Sequence, residues 1–328
     1  MKKVLFDRRW EGGHGIGRFS KEITNRIQFD KYICNKIKPT SPVDIFITPW
    51  YLCWNRFLYF TPGFNAPFFF VKRSVITIHD LNHVDIDNNS NILKRIYYNL
   101  VLKRACKKCL AILTVSEFSK KRIIEWSGIE KDKVTVVGNG VSDSFTPNGE
   151  VYKPGYDYIF CVSNRKEHKN EKRLIEAYSL IAEKNHVKLV FSGKPSSSLH
   201  ELIKNYNLED NIIFTGFISD EMLPNYYRGA LVLIMPSIYE GFGLPVIEAM
   251  ACGIPTIASA TTSLGEIAGD ASLLIDPFDV ESIKDALEKI ISDQMLQKEL
   301  KIKGLEHVKK YTWGKTVNKV KVVIDSLR

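Results

Sequence analysis

The stretch Pro236-Ser-Ile-Tyr-Glu-Gly-Phe-Gly-Leu-Pro-Val-Ile-Glu-Ala-Met-Ala-Cys-Gly-Ile-Pro255 decides the reading of this chain. It follows the apolar run Leu231-Val-Leu-Ile-Met235, which reads as a buried parallel strand. Glu240 then falls in the loop beyond the strand, and seven residues separate it from Glu248. Gly241 and Gly243 permit unusual torsions and close approach by a ligand. Pro245 suits the first position of a helix, which predicts a helix over Val246–Cys252. The free N–H groups and positive dipole end of that helix would face an anion above the strand. Glu248, one turn in, can offer two acceptor oxygens to hydroxyl groups. Carboxylates that grip hydroxyls beside an anion-binding helix end are the parts of a nucleotide-sugar site.

Working outward, the chain alternates strand and helix. Strands are predicted at Val43–Thr48, Val75–His79, Leu110–Val115 and Val134–Val137, with helices over Phe19–Ile27, 91–107 and 117–127, the last capped by Ser116. A second alternation begins at Tyr158–Val162 and runs through helix 171–184 and strand Val187–Phe191. A helix at 199–206, strand Ile212–Thr215, helix 219–229 and strand 231–235 follow, then strand Thr256–Ala258 and a helical tail over 279–310. Such alternation implies parallel sheets. The polar loop Ser142–Gly155 places a domain boundary between them.

The motif Glu240-x7-Glu248, with its glycines, Pro245 and the trailing Glu-Ala-Met-Ala-Cys-Gly-Ile-Pro, resembles the signature of retaining glycosyltransferases of family 4. The resemblance implies the GT-B fold: α/β, two doubly wound Rossmann-like domains facing a cleft. The expected domains are 1–148 for the acceptor and 149–312 for the donor. Tyr311-Thr-Trp-Gly-Lys-Thr316 is similar to the family's crossing segment, which would pack 313–328 back on the first domain.

The other motifs take their roles from the same resemblance. Gly12-Gly-His-Gly-Ile-Gly17 follows the first strand, where α/β folds bind ligands; Gly13 is the candidate backbone contact. His79, in Ile78-His79-Asp80-Leu81, matches the family's histidine contact to the donor sugar. In Val162-Ser-Asn-Arg-Lys-Glu-His-Lys-Asn170, Lys169 matches the lysine that holds the donor diphosphate. Arg165 is the candidate arginine, one residue late against the usual pattern, with Lys166 as the alternative. Fixed cations suit a leaving diphosphate because they need no reorganisation as charge develops. Ile218 is a candidate backbone contact to the base. Glu240 would sit near the sugar, as a hydroxyl contact or as electrostatic stabiliser of an oxocarbenium-like transition state, Glu248 would bind ribose hydroxyls, and the N–H groups of Phe242, Gly243 and Leu244 would face the sugar.

Composition bounds the rest. The chain has 328 residues, 45% hydrophobic and 25% charged, with no run apolar enough to span a membrane. Its start, Met-Lys-Lys-Val-Leu-Phe-Asp-Arg, reads as a first strand and not a signal peptide. Six scattered cysteines predict reduced thiols and a cytoplasmic protein. Cys106-Lys-Lys-Cys109, a CxxC without a second pair, reads as packing residues rather than a redox or metal site. Asp85-Ile-Asp87 matches the short DxD of metal-dependent transferases of another fold, and reads as a polar loop; neither metal nor cofactor is expected.

Residues 1–150 hold 24 Lys/Arg and 14 Asp/Glu, so the net charge of +9 arises in this half. Ten aromatics lie within residues 50–70. Rings beside cations suit contact with an anionic membrane on its inner face. The expected partners are a GDP-, UDP- or dTDP-sugar and a saccharide or polyprenyl-diphosphate-linked acceptor, with no nucleic acid. The expected product is a bacterial surface polysaccharide such as O-antigen or capsule. Two other readings stand beside this one: a sugar-nucleotide epimerase of similar architecture, and a non-catalytic basic nucleic-acid-binding or scaffold protein.

Overall fold

A computed structural model of the chain describes residues 2–13, 15–54, 56–86 and 92–328. The chain divides into two compact units, one of residues 1–140 with 313–328 and the other of 141–312.

The first unit is built on six parallel strands: β1 (Val4–Asp7), β2 (Lys31–Ile33), β3 (Leu58–Thr61), β4 (Ser74–Thr77), β5 (Ala111–Thr114) and β6 (Val134–Val136). Their order is β2-β1-β3-β4-β5-β6. Every residue of β1, β3 and β4 is buried, as strands covered on both faces require. The helices are α1 (Gly15–Thr24), α2 (Asp44–Cys53), α3 (Asn82–Asp85), α4 (Ile92–Ile96), α5 (Lys103–Lys108) and α6 (Glu117–Ser127), with a π-helical stretch Tyr97–Leu102 joining α4 to α5. Ser116 caps α6 as predicted, accepting from Ser119 N at 3.1 Å. The predicted helix start at 91 lies outside the described residues.

Three readings of this unit need correction. Val43–Thr48 is not a strand but the entry to α2. Asp44 and Thr48, one turn apart, both face inward, where Arg9 and Asn65 hold Asp44 at 2.5 and 3.0 Å. Pro49 supplies no N–H, so the Ile45 carbonyl one turn back accepts from Phe68 N at 3.4 Å instead. The edge and inner strands on either side of β1 are β2 and β3, which lie outside the predicted set; each pairs in parallel with β1. The first helix starts within the glycine loop, because Gly17 packs directly on Gly12. A Cβ at Gly17 would lie 2.2 Å from the Gly12 carbonyl oxygen.

The second unit repeats the plan with β7 (Tyr158–Cys161), β8 (Lys188–Phe191), β9 (Ile212–Phe214), β10 (Val232–Met235), β11 (Thr256–Ser259) and β12 (Leu273–Ile275). Their order is β12-β11-β10-β7-β8-β9, all parallel, so the direction of winding reverses between β7 and β10. Around them lie α7 (Glu171–Ser179), α8 (Ser197–Asn205), α9 (Leu223–Gly229), α10 (Leu244–Ala251), α11 (Thr262–Ala268), α12 (Val280–Ser292) and α13 (Gln294–His307). The core joins Ile159, Leu189 and Ile234 of the sheet to Leu174, Ile175 and Leu287 of α7 and α12. The predicted helix at 171–184 stops early: α7 ends at Ser179 and a 3₁₀ turn covers Ala182–Lys184.

The last helix, α14 (Trp313–Leu327), belongs to the first unit. Trp313, Val317, Val320 and Ile324 recur at helical spacing and join the core of Val4, Phe19 and Phe60. Lys2 N donates to the Arg328 carbonyl at 2.8 Å, which ties both ends of the chain together.

Candidate functional site

In open α/β sheets a ligand crevice forms beyond the carboxyl ends of the strands where winding reverses. In the second unit that point lies between β7 and β10. The loops leaving these two strands carry Arg165, Lys169 and Glu240, and hydrogen bonds stitch them together. Ile238 N donates to the His168 carbonyl at 2.8 Å, and Asn170 Nδ2 donates to the Pro236 and Pro277 carbonyls at 3.0 and 2.6 Å. Asn170 itself adopts φ of 60°, a left-handed conformation that asparagine tolerates.

Lys169 and Glu240 meet across this junction. Lys169 Nζ lies 2.6 Å from Glu240 Oε1, with both side chains largely shielded from solvent. The Glu240 backbone is fixed from a third loop: its N–H donates to Thr262 Oγ1 at 3.3 Å, and its carbonyl accepts from Ser263 Oγ at 2.8 Å. Ser263 also donates to the Phe242 carbonyl at 3.2 Å.

α10 starts at Leu244, so Pro245 is its second residue and not its first. The N-cap is Gly243, with φ of 110°. A Cβ there would lie 2.5 Å from Leu264 Cδ2, so glycine is required twice over, by torsion and by space. Gly241 does not share the positive φ. At a helix start the first N–H groups have no acceptor in a preceding turn; here Phe242 and Gly243 lie just ahead of the helix, and Val246 N donates to the Gly243 carbonyl at 3.1 Å. Glu248 is 2% exposed, and Tyr227 Oη donates to its Oε2 at 2.9 Å.

Arg165 lies beside this cluster but is engaged elsewhere. Its Nε donates to the Lys194 carbonyl at 2.8 Å, and its Nη atoms bind the Ser192 carbonyl and Glu171. The guanidinium also packs over the rings of Phe191 and Phe214 at 5.4 and 5.0 Å. Gly193, inside the turn that Arg165 grips, pairs with Gly216 through bonds of 2.7 and 3.2 Å. Ile218 follows two residues later, half-buried, beside Phe217, which is 92% exposed. Arg165 therefore fixes the loop that presents Ile218. Lys166 is exposed.

The remaining candidates belong to the first unit. His79 is half-buried beyond β4, and its Nε2 donates to the Pro62 carbonyl at 2.9 Å. Its ring meets Phe19 edge-on at 5.0 Å. Gly13 is exposed, and a Cβ there would meet nothing within 4 Å, so no packing demands glycine at that position. Its neighbour His14 lies outside the described residues, as does Asp87 of the Asp85-Ile-Asp87 segment. Asp85 is held by Arg122 at 2.6 Å. Among the described residues, no group of three His, Cys, Asp or Glu could hold a metal ion. Burial pushes the Cys109 thiol up to about 12, and Cys106 is raised further, which suits packing residues.

Known proteins identify the family of the chain. The model described as "Glycosyltransferase Family 4" matches residues 42–145, and "Glycosyl transferases group 1" matches residues 146–307. The chain belongs to the family 4 glycosyltransferases. Family members similar to it include the O-antigen chain mannosyltransferase B of Escherichia coli, 29% identical over 82% of this chain and 75% of that protein. The serotype-specific mannosyltransferase WbdA of the same species is 28% identical over 78% of this chain. The match spans only 33% of WbdA's length. Sucrose-phosphate synthase from Thermosynechococcus elongatus superposes with a TM-score of 0.78 at 20% identity, covering 100% of this chain and 99% of that one. The fold of this family 4 chain is GT-B. No described helix is long and apolar enough to cross a membrane.

Reasoning from sequence missed the supporting residues of the site. Tyr227, Thr262 and Ser263 lie in other segments from the groups they hold, and Glu171 follows the Val162–Asn170 stretch that carries Arg165. The one local signal was Asn170, since asparagine ahead of a helix-starting glutamate often marks a left-handed turn.

Proposed function

We propose that this chain transfers mannose, with retention and without a metal, from GDP-mannose to a lipid-linked saccharide of the O-antigen type. The Lys169–Glu240 pair at the β7/β10 switch point, followed by buried Glu248 in α10, carries the reading. The choice of mannose rests on the relatives named as O-antigen mannosyltransferases. The second unit would hold the donor and the first the acceptor.

In the free protein Lys169 is neutralised by Glu240. A bound diphosphate competes for that ammonium and stabilises it by charge. Glu240 is then released toward the sugar, where a carboxylate favours the positive charge of an oxocarbenium-like transition state. Glu248, held by Tyr227, accepts from the ribose hydroxyls. The N–H groups of Phe242, Gly243 and Leu244 face the sugar, and Ile218 meets the base through its backbone. Arg165 positions the Ile218 loop, which leaves Lys169 as the principal cation of the diphosphate and exposed Lys166 as a second. On this reading the acceptor oxygen attacks C1 from the face the diphosphate leaves. The C1–O bond to phosphate breaks as the new glycosidic bond forms, and a leaving phosphate oxygen takes the acceptor proton. No protein base is needed. His79 and Gly13 are proposed as the first unit's contacts to sugar and acceptor, with His79 Nε2 already donating to Pro62.

The test is incubation with GDP-mannose, UDP-glucose, UDP-galactose and dTDP-rhamnose in EDTA, using lipid-linked oligosaccharide as acceptor. Transfer of mannose alone, with an α-linked product, is the expected result. Transfer of another sugar overturns the donor assignment, a β-linked product overturns retention, and loss of all transfer in EDTA overturns metal independence.

A further inference from the structure

We propose that Arg228 is a positioning residue for donor binding. It straps the segment Thr146–Tyr152 onto α9, and α9 in turn aims Tyr227 at Glu248. The inference rests on the reading of Glu248 as the acceptor for ribose hydroxyls.

The lever is a short helix. α9 spans only Leu223–Gly229, too few residues to form a stable helix in water without packing. Its neighbours therefore set its position. Tyr227 of α9 is fully buried, and its Oη donates to Glu248 Oε2 at 2.9 Å. Glu248 is nearly as buried and lies on a different helix, α10. A shift of α9 reaches the carboxylate through that bond.

Chain from far back in the sequence holds α9. Arg228 Nε donates to the Glu150 carbonyl at 2.7 Å, and Nη1 to the Thr146 carbonyl at 3.2 Å, 78 and 82 residues back. Nη2 donates to Asn225 Oδ1 at 2.5 Å on the same helix. Asn225 closes the strap: its Nδ2 donates to Glu150 Oε2 at 3.2 Å, and its carbonyl accepts from Tyr152 N at 3.0 Å. Rings complete it. Tyr152 stacks on Tyr226 at 4.1 Å, and Phe145 meets Tyr227 edge-on at 5.8 Å.

Two glycines record how closely the strap lies. A Cβ at Gly229 would sit 2.2 Å from the Tyr152 carbonyl oxygen. One at Gly149, where φ is 133°, would sit 2.9 Å from Arg228 Nη2. The position also calls for arginine in particular. The acceptors of its three nitrogens are neutral oxygens, so the spread of the planar fork, rather than its charge, makes the strap. A lysine ammonium keeps the charge but is a single point.

Calorimetric titration of the full chain tests the strap, with GDP-mannose, UDP-glucose and dTDP-rhamnose as probes. Arg228→Ala and Arg228→Lys should each raise the dissociation constant of the sugar nucleotide that the parent binds about fivefold, the size of one lost hydrogen bond. In a Tyr227→Phe background the same changes should add less than about twofold, because residues acting through one contact are not additive. Hydrogen exchange in the ligand-free chain gives a readout without a donor: amides of α9 and α10 should exchange faster in Arg228→Ala, and those of α12 should not change. Parental affinity in both Arg228 variants, or unchanged exchange over α10, would overturn the proposal. So would an equal loss of affinity with and without the Tyr227 hydroxyl, or full recovery by lysine, which would make charge the cause. A parent that binds none of the three probes overturns the transferase reading itself, and the role of Arg228 in donor binding falls with it.

Discussion

At the residue scale the proposed site separates groups that would touch the donor from groups that hold them. Glu248→Ala should abolish the melting-point rise produced by GDP-mannose, because a buried acceptor for hydroxyls is gone. Tyr227→Phe removes one hydrogen bond to Glu248, worth about 1 kcal/mol. It should raise the dissociation constant roughly fivefold in a calorimetric titration while leaving kcat nearly unchanged. Lys169→Ala should act on kcat instead, lowering it by about 10²–10³, the range for removal of one preorganised stabilising group. A Lys169→Ala enzyme with parental kcat would remove Lys169 from the leaving-group role. The thiols give a pH-dependent prediction. Burial pushes Cys161, Cys252 and Cys109 up to about 12 in the folded chain. A folded pKa above the unfolded one means stability is fully present below the ordinary thiol range and is lost as pH rises toward 12. Urea midpoints should therefore fall between pH 9 and pH 11, and iodoacetamide at pH 8 should label only the exposed Cys34 and Cys53 in the native protein.

At the scale of elements, α2 is the instructive case. Alternation in Val43-Asp-Ile-Phe-Ile-Thr48 predicts a strand, yet the segment is a helix because its two polar residues bind an interior network one turn apart. Arg9 is the hub: it binds Asp7 through Nε and Nη2 at 2.8 and 2.6 Å and Asp44 through Nη1 at 2.5 Å. Tyr59 Oη donates to Asp7 at 2.7 Å; burial, then the charges of Asp7 and Asp44, push its phenol well up, so it stays a donor. Arg9→Ala would leave two buried carboxylates without their cation, a change that costs about 3–5 kcal/mol. The expected outcome in urea denaturation is a loss of that size. α10 shows the opposite relation between sequence and structure. Its glycine, proline and glutamate spacing predicted a helix over Val246–Cys252, and the helix found, Leu244–Ala251, differs by two residues at its start and one at its end.

At the scale of the whole molecule, each unit is a parallel sheet wound in both directions, and the chain's last helix completes the first unit. Trp313→Ala should destabilise that unit by about 3–5 kcal/mol, as large-to-small changes in a core do; a urea midpoint unchanged from the parent would argue against the packing of α14. By itself the sequence determined the α/β class, the GT-B fold and the positions of Glu240, Glu248 and Lys169. It could do so because strand hydrophobicity, glycine torsions and helix starts are local, and each motif lies within a few residues of a strand end. Only the tertiary structure decided that Arg165 grips the Ser192–Lys194 turn, that Tyr227 holds Glu248, and that α2 turns its aromatic side outward. Those outcomes depend on partners dozens of residues away, brought near by sheet order, and no spacing within a single segment records which distant carbonyl or carboxylate a side chain will meet.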